Sequence, residues 1–239
     1  MSAYSKFAKI YDAIYSFKNY QSEAALLHEL IGRHKRSRGN ALLDVACGTG
    51  SHLKFLRNHY AVEGVDLTPE MLQIARARHP EIPFHHGDMR SFDLGRKFDV
   101  ITCLFSSIGY MKTPRRMREA VINMSRHLEP GGVLIVEPWI NEETFHPGEL
   151  HALVVDRPEL KIARFDIPYL KGRVSVHKWH LMIGTPAKIE YLTDKHELGL
   201  FSELEYREAF AAADLEVFFD EKGLMGRGLY LGTSHLNGE

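Results

Sequence analysis

The segment Asp44-Val45-Ala46-Cys47-Gly48-Thr49-Gly50 constrains this chain more than any other stretch of it. It closes a short apolar run, Ala41–Val45, and precedes a segment, 51–58, that reads as a helix. A buried strand that runs through small residues into a helix lets the main chain approach a ligand closely, because glycine adopts backbone conformations closed to larger side chains. A second acid, Asp66, follows 22 residues after Asp44, at the end of the next apolar run. An acid so placed accepts hydrogen bonds from ribose hydroxyls. A nicotinamide site would show GxGxxG, its third glycine opening the helix beneath a pyrophosphate. Here the position three past Gly50 is Leu53, and the pattern DxAxGxG suits a ligand without a pyrophosphate.

Around this loop the chain alternates strand-like and helix-like segments, which predicts a parallel sheet with crossover helices. Strands are expected at 41–45, 61–65, 82–86, 98–105 and 133–137. Helices are expected at 51–58, from Pro69 to about 78 with Thr68 as N-cap, and from Thr113-Pro114 to about 128. Two further helices are expected ahead of the first strand. One spans about 4–16, with Phe7, Ile10, Tyr11, Ile14 and Tyr15 at helical spacing, and one spans 21–34. Glu129-Pro130-Gly131-Gly132 reads as a turn. From 140 to 200 the helical rhythm stops, and segments near 152–156, 160–168, 173–184 and 187–200 read as strands, with turns at Gly172 and Gly184. This predicts an antiparallel β insert after the fifth strand. Ser202 and Glu205 fit a capping box for a helix to Asp214, and 215–220 and 229–233 close the chain as strands.

The 239 residues carry 30 basic and 31 acidic side chains, a balance that argues against nucleic acid as partner. The two cysteines, Cys47 and Cys103, form no CxxC pair, the 14 histidines show no metal spacing, and no metal is expected. No apolar run approaches the roughly 18 residues of a membrane span, and the first residues lack an apolar leader, so a cytoplasmic protein without membrane partners is expected.

The motif Asp44–Gly50 resembles the first motif of class I S-adenosylmethionine (SAM)-dependent methyltransferases. Gly64-Val65-Asp66-Leu67-Thr68-Pro69-Glu70-Met71 resembles their second motif, and Gly87-Asp88-Met89 the segment that meets the adenine. The resemblance covers about residues 7–139. It implies a Rossmann-like α/β fold with a seven-stranded sheet, and SAM as cofactor with S-adenosylhomocysteine as product. The cofactor contacts it implies are Asp44, Ala46, Cys47, Gly48, Thr49, Gly50, Asp66, Leu67, Met71, Asp88, Met89 and Leu104, with Tyr15 and Tyr20 from the N-terminal segment. It divides the chain into a cofactor core at 1–139, the insert at 140–200 on the substrate side, and 201–239 completing the sheet.

A narrower resemblance rests on Cys103-Leu104-Phe105-Ser106-Ser107-Ile108-Gly109, Val136-Glu137-Pro138-Trp139 and Gly226-Arg227-Gly228-Leu229-Tyr230. These segments look like the N,N-dimethyltransferases of TDP-linked 3-amino sugars. The implied reaction is N-methylation of an amine by in-line displacement, with Tyr15, Tyr110 and Glu137 as candidate catalytic groups. Phe105, Ser107, Tyr110, Trp139, Arg164, His177, Lys178 and Arg227 are candidate substrate contacts. Arg227 suits a diphosphate through bidentate bonds, with Arg164, His177 and Lys178 adding positive charge. Trp139 would stack on thymine or cover a strand end, and Glu137 would meet the amine or anchor a loop. Tyr11 is expected to pack. In that subfamily the residue after Ser-Ser-Ile-Gly is commonly histidine, whereas here it is Tyr110, whose ordinary pKa of about 10 makes a poor base near neutrality. Methylation of oxygen or carbon in another small metabolite, and SAM binding without catalysis, stay open at this point. The exposed edges of an antiparallel insert also admit a homodimer.

Overall fold

A computed structural model describes residues 10–236 of the chain. Phe7 and the start of the expected first helix lie outside them. Residues 10–14 are helical, and α1 (Tyr20–His34) follows, with the Asn19 side chain accepting from Ser22 N. The core then alternates as expected: β1 (Ala41–Val45), α2 (Leu53–Leu56), β2 (Ala61–Asp66), α3 (Pro69–Arg78), β3 (Phe84–His86), β4 (Phe98–Cys103), α4 (Pro114–Arg126) and β5 (Leu128–Val136). After the insert come α5 (Glu203–Ala211), β11 (Leu215–Asp220) and β12 (Leu229–Ser234). The seven strands lie in the order β11-β12-β5-β4-β1-β2-β3, with only β12 antiparallel to its neighbours β5 and β11.

Successive residues of a strand point to opposite faces, and both faces here are apolar. Leu43, Val45, Ile101, Leu134 and Val136 pack on one side with α4 and α5 residues such as Met117, Val121, Tyr206 and Phe210. Leu42, Val62, Val100, Val133 and Ile135 pack on the other with Leu27, Leu30, Leu53 and Leu72 from α1, α2 and α3. The chain leaves β1 toward β2 on one side, while β4 lies on the other, so the crevice beyond the end of β1 is a topological switch point. The glycine loop opens into that crevice.

Several boundaries differ from the sequence expectation. Strand β4 stops at Cys103 rather than 105, because Phe105 and Ser106 turn into the left-handed region at φ 52° and 59°. The 129–132 segment is part of β5, not a turn. Gly131 at φ 76° and a register shift between Phe98 and Val100 make it a bulge. Thr68 occupies the N-cap of α3 but its side chain makes no capping bond. Ser202 and Glu205 do form the capping box.

The expected antiparallel insert is a five-stranded sheet, with β6 (His151–Arg157), β7 (Leu160–Asp166), β8 (Tyr169–Lys171), β9 (Val174–Thr185) and β10 (Lys188–Gly199). Strand β8 was not expected, since the segment between the predicted strands 160–168 and 173–184 read as a connection with its turn at Gly172. Gly172 makes a turn at φ 61°, whereas Gly184 lies inside β9 and the turn falls at 186–187. The inner face of this sheet carries Val155, Ile162, Trp179, Leu181, Ile183 and Leu192, which pack on Ile10, Ala13 and Ile14 and close the N-terminal segment over the core. No helix among the described residues is long and apolar enough to cross a membrane.

Candidate active site

The loops after β1, β2 and β4 converge on two cavities that share Tyr11, Ala46, Gly48 and Ser107 in their walls. The larger, about 400 Å³, is lined also by Asp66, Leu67, Met71, Asp88, Met89, Tyr110 and His196. The smaller, about 40 Å³, adds Tyr20, Asp44, Cys47, Thr49, His52, Leu104 and Phe105. Most of the expected cofactor residues thus gather around one crevice. Gly50 lines neither cavity. It sits behind the loop at φ 79°, where an added Cβ would come 3.2 Å from His79 and Phe84.

The loop is held by buried acids. Asp66 accepts from Gly48 N and from Thr68 N, both at 2.8 Å. Burial pushes its carboxyl up, against the pull of those two N–H groups. Asp44 accepts from Thr102 Oγ1 at 2.7 Å, and burial raises its carboxyl to about 6. Asp44 stands in the wall of the smaller cavity with His52, whose charge pulls against the effect of burial, and no Lys or Arg among the described residues pairs with it. Asp88 differs, since Arg90 bridges both its oxygens and holds it below the usual carboxylate range. Burial drives the Cys47 and Cys103 thiols upward, so both remain inert. Three non-glycine residues at positive φ, Ala46, Phe105 and Ser106, stand at the ends of β1 and β4. Such residues cost about 1–3 kcal/mol each and cluster at functional sites.

The N-terminal segment covers this crevice through groups that carry no motif. Asp12 accepts from Thr49 Oγ1 at 2.8 Å and pairs with Arg78. Lys18 is buried, 3.0 Å from Glu23 and 4.0 Å above the Phe105 ring. His52 lies 2.7 Å from the same glutamate. Tyr11, expected only to pack, lines both cavities. Tyr15 instead joins an aromatic cluster, edge-on to Phe105 at 4.7 Å and near Trp179 at 6.3 Å. Burial raises the phenols of Tyr11, Tyr15 and Tyr20, which favours their neutral, hydrogen-bond-donating form.

Beyond the cavities a polar wall runs along the inner face of the insert. Arg227 lies 5.5 Å over Trp139, whose Nε1 donates to Ser175 Oγ. His177 stands edge-on to Trp139 at 5.8 Å and 3.1 Å from Asp166. Arg164 stacks over Trp179 at 4.4 Å, with its Nε 3.8 Å from Asp166. His151, Asp166 and His177 bring their donor atoms within 4.8 Å of one another, a cluster without sequence spacing to announce it.

Two expectations are corrected here. Lys178 is exposed on the opposite face of β9 from His177 and Trp179, and pairs in register with Lys195, so it is not part of this wall. Glu137 is wholly buried. It accepts from Phe105 N at 2.6 Å and pairs with Arg227 at 3.0 Å, which makes it an anchor of the loop after β4 and not a base at the reacting amine. At Tyr110, where histidine was expected, the phenol Oη lies 2.7 Å from His196 Nδ1, so an imidazole is present one hydrogen bond away.

Residues 42–132 match a family model described as a methyltransferase domain. The chain is 41% identical over 230 residues to the dTDP-3-amino-3,4,6-trideoxy-alpha-D-glucopyranose N,N-dimethyltransferase of Streptomyces venezuelae, covering 95% of this chain and 97% of that one. The crystal structure of Streptomyces venezuelae DesVI superposes with a TM-score of 0.90 at 40% identity, covering 95% and 98%. SAM-bound CalS10 from Micromonospora echinaspora, an amino pentose methyltransferase involved in calicheamicin biosynthesis, gives 0.85 at 40% identity, covering 94% and 96%.

The cofactor is SAM, and the site suits it. Gly48, at φ 55° with open space where a Cβ would stand, admits a close ligand. Asp66 lines the larger cavity and Asp44 the smaller. Asp44 also gives a pH signature. Its folded-state value lies above the ordinary one, so in the empty protein its contribution to stability is present at low pH and is lost as pH rises through about 6. A cation bound beside it favours the ionised form. SAM affinity is therefore expected to fall as pH drops through about 6, by up to about tenfold per pH unit, and calorimetric titration between pH 5 and 8 checks this. Asp44→Asn is expected to bind weakly with the step near 6 removed; an unchanged step would show that another group titrates. Sequence, coverage and fold agree that the chain belongs to the dTDP-amino-sugar N,N-dimethyltransferase family and is a SAM-dependent methyltransferase.

Proposed function

We propose that this enzyme methylates the amino group of a TDP-linked amino sugar. The observation that carries the reading is the pair of largely buried arginines beside the cofactor crevice. Arg164 Nε and Arg227 Nε are both buried without a hydrogen-bond partner among the described residues. Each guanidinium is held by one carboxylate, Asp166 or Glu137, and keeps donors for a ligand. Two such forks match a diphosphate, and Trp139 between Arg227 and His177 offers a face for the base. In this reading 1–139 chiefly binds the cofactor and adds Trp139 to the acceptor side, 140–200 faces the acceptor, and 201–239 completes the sheet and supplies Arg227.

The SAM sulfonium supplies an already activated methyl group. The residues of the site then have three tasks: to hold the acceptor in line, to exclude water, and to receive one proton. Orientation can contribute about 7–11 kcal/mol in favourable cases. Tyr11, Tyr15, Phe105 and Trp179 form the apolar cover that keeps water out. A sugar amine is readily deprotonated, whereas a hydroxyl would need a stronger base or a metal, so nitrogen is the natural acceptor for this wall.

The outer face of the insert leaves Val154, Met182, Ile189 and Tyr191 more than half exposed. This apolar patch supports a homodimer packed through the insert. The two buried, free cysteines suit a reducing cytoplasm.

Incubation with SAM and TDP-3-amino- or TDP-4-amino-sugars is expected to give products heavier by one and then two methyl groups in mass spectrometry. Calorimetry of the S-adenosylhomocysteine-loaded protein should show TDP binding that Arg227→Ala weakens by roughly 1.5–3 kcal/mol. Because that change strands the buried Glu137, Arg227→Lys serves as control: it keeps the charge and loses the fork. Absence of TDP binding to the loaded wild type would overturn the nucleotide-sugar assignment.

A further inference from the structure

Tyr110 and His196 reach each other from elements 86 residues apart. Tyr110 stands on the 3-10 turn Ser107–Met111 after β4, and its ring is 42% exposed into the larger cavity. His196 belongs to the inner face of β10 and is 8% exposed. The phenol Oη is 2.7 Å from His196 Nδ1. Across the ring, Nε2 faces Asp194 Oδ2 at 3.4 Å, and Trp179 packs against the imidazole with centroids 4.1 Å apart. No hydrogen bond joins Nε2 and Oδ2 among the described residues, but the negative charge of the carboxylate at that distance favours the tautomer with its proton on Nε2, which leaves Nδ1 as the acceptor of the phenol proton. Tyr110, hydrogen-bonded to His196 and backed by the charge of Asp194, thus stands in the wall of the larger cavity.

We propose that Tyr110, His196 and Asp194 form the proton exit of the methyl transfer, with Tyr110 as the catalytic residue touching the acceptor amine and the other two as positioning residues behind it. This rests on the N-methylation reading above. The amine enters as ammonium. One N–H bond breaks and its proton bonds to Tyr110 Oη, while the phenol's own proton passes to His196 Nδ1. The imidazolium so formed is balanced by Asp194. The electron pair uncovered on nitrogen forms the new N–C bond, and the pair of the broken C–S bond stays on sulfur. A tyrosine that relays a proton needs no phenolate, which removes the objection that its ordinary pKa is about 10.

Other charged groups surround the pair without replacing Asp194. Strand β9 brings His177 into register opposite His196. Strand β7 brings Arg164 and Asp166, which lie 3.8 Å apart. Lys112, two residues after Tyr110, is tied to Glu197 at 2.6 Å, as is Lys195 at 2.5 Å. Tyr11 faces the same cavity from the N-terminal segment.

The test compares Tyr110→Phe, His196→Gln, the double variant and Tyr110→His. Turnover of a TDP-amino sugar is followed from pH 6 to 9 at saturating SAM, with SAH and TDP affinities measured alongside. Tyr110→Phe and His196→Gln are each expected to lower kcat by about 10–100-fold at pH 7, within or just below the usual range for general acid–base catalysis, at nearly unchanged affinities. The loss should shrink as pH rises and the free amine becomes abundant. The double variant should be no worse than the worse single one, and Tyr110→His, which puts an imidazole at the amine, should recover most of the activity. Nitrogen NMR of the His196 ring, independent of turnover, should show an unprotonated Nδ1 whose resonance shifts in Tyr110→Phe. A loss that does not vary with pH, additive variants, or a proton on Nδ1 in the working pH range would overturn the relay. Failure of the wild type to methylate any TDP-amino sugar would instead strike the substrate assignment, while the ring tautomer still decides the relay.

Discussion

Asp66 accepts backbone N–H groups from Gly48 and Thr68 and so joins the loop leaving β1 to the turn leaving β2. The same device recurs around the crevice. Glu137 holds Phe105 N and Arg227, fixing the turn after β4 against the C-terminal loop. Asp12 holds Thr49 and Arg78, and Glu23 holds Lys18 and His52, which seats the N-terminal segment on the glycine loop. Each acid is buried or half-buried and satisfied by main-chain N–H groups or cations, the condition under which a charge is tolerated away from water. Against the cost of burial, His52 and Lys18 hold Glu23 below the usual carboxylate range. Removing one partner of such a pair leaves an uncompensated charge and typically costs several kcal/mol, so these contacts lock loops that carry strained residues at Ala46, Phe105 and Ser106.

The insert closes over the N-terminal segment beside this crevice. Its inner face is apolar toward one end, where it closes over residues 10–14, and polar toward the other, where Arg164, Asp166, His177, Asp194 and His196 gather. A surface of this kind both excludes water and presents oriented charge. In an enzyme whose methyl donor is already activated, those two properties are what the protein has to supply.

The sheet and the cofactor crevice were legible because they rest on local pattern: apolar runs, glycines in the turn, and acids at strand ends. Residues joined across long stretches of chain were not. Asp12 with Thr49 and Tyr110 with His196 are pairings that only the folded topology brings about, and no spacing announces them. The left-handed Phe105 defeats a reading by propensity, since phenylalanine suits a continuing strand. Two misses were avoidable. Alternation along β9 puts Lys178 on the face opposite His177, and the same alternation along β10 places Leu192, Asp194 and His196 together on the inner face.

The central claim is that the acceptor amine lies between the cofactor crevice and the inner face of the insert. A crystal structure of the protein with S-adenosylhomocysteine and a TDP-linked amino sugar tests it most directly. The account predicts the diphosphate on Arg164 and Arg227, and the amine nitrogen within hydrogen-bonding distance of Tyr110 Oη and facing the cofactor sulfur. A nucleotide bound on the outer face of the insert, or an amine directed away from both the sulfur and Tyr110, would contradict it.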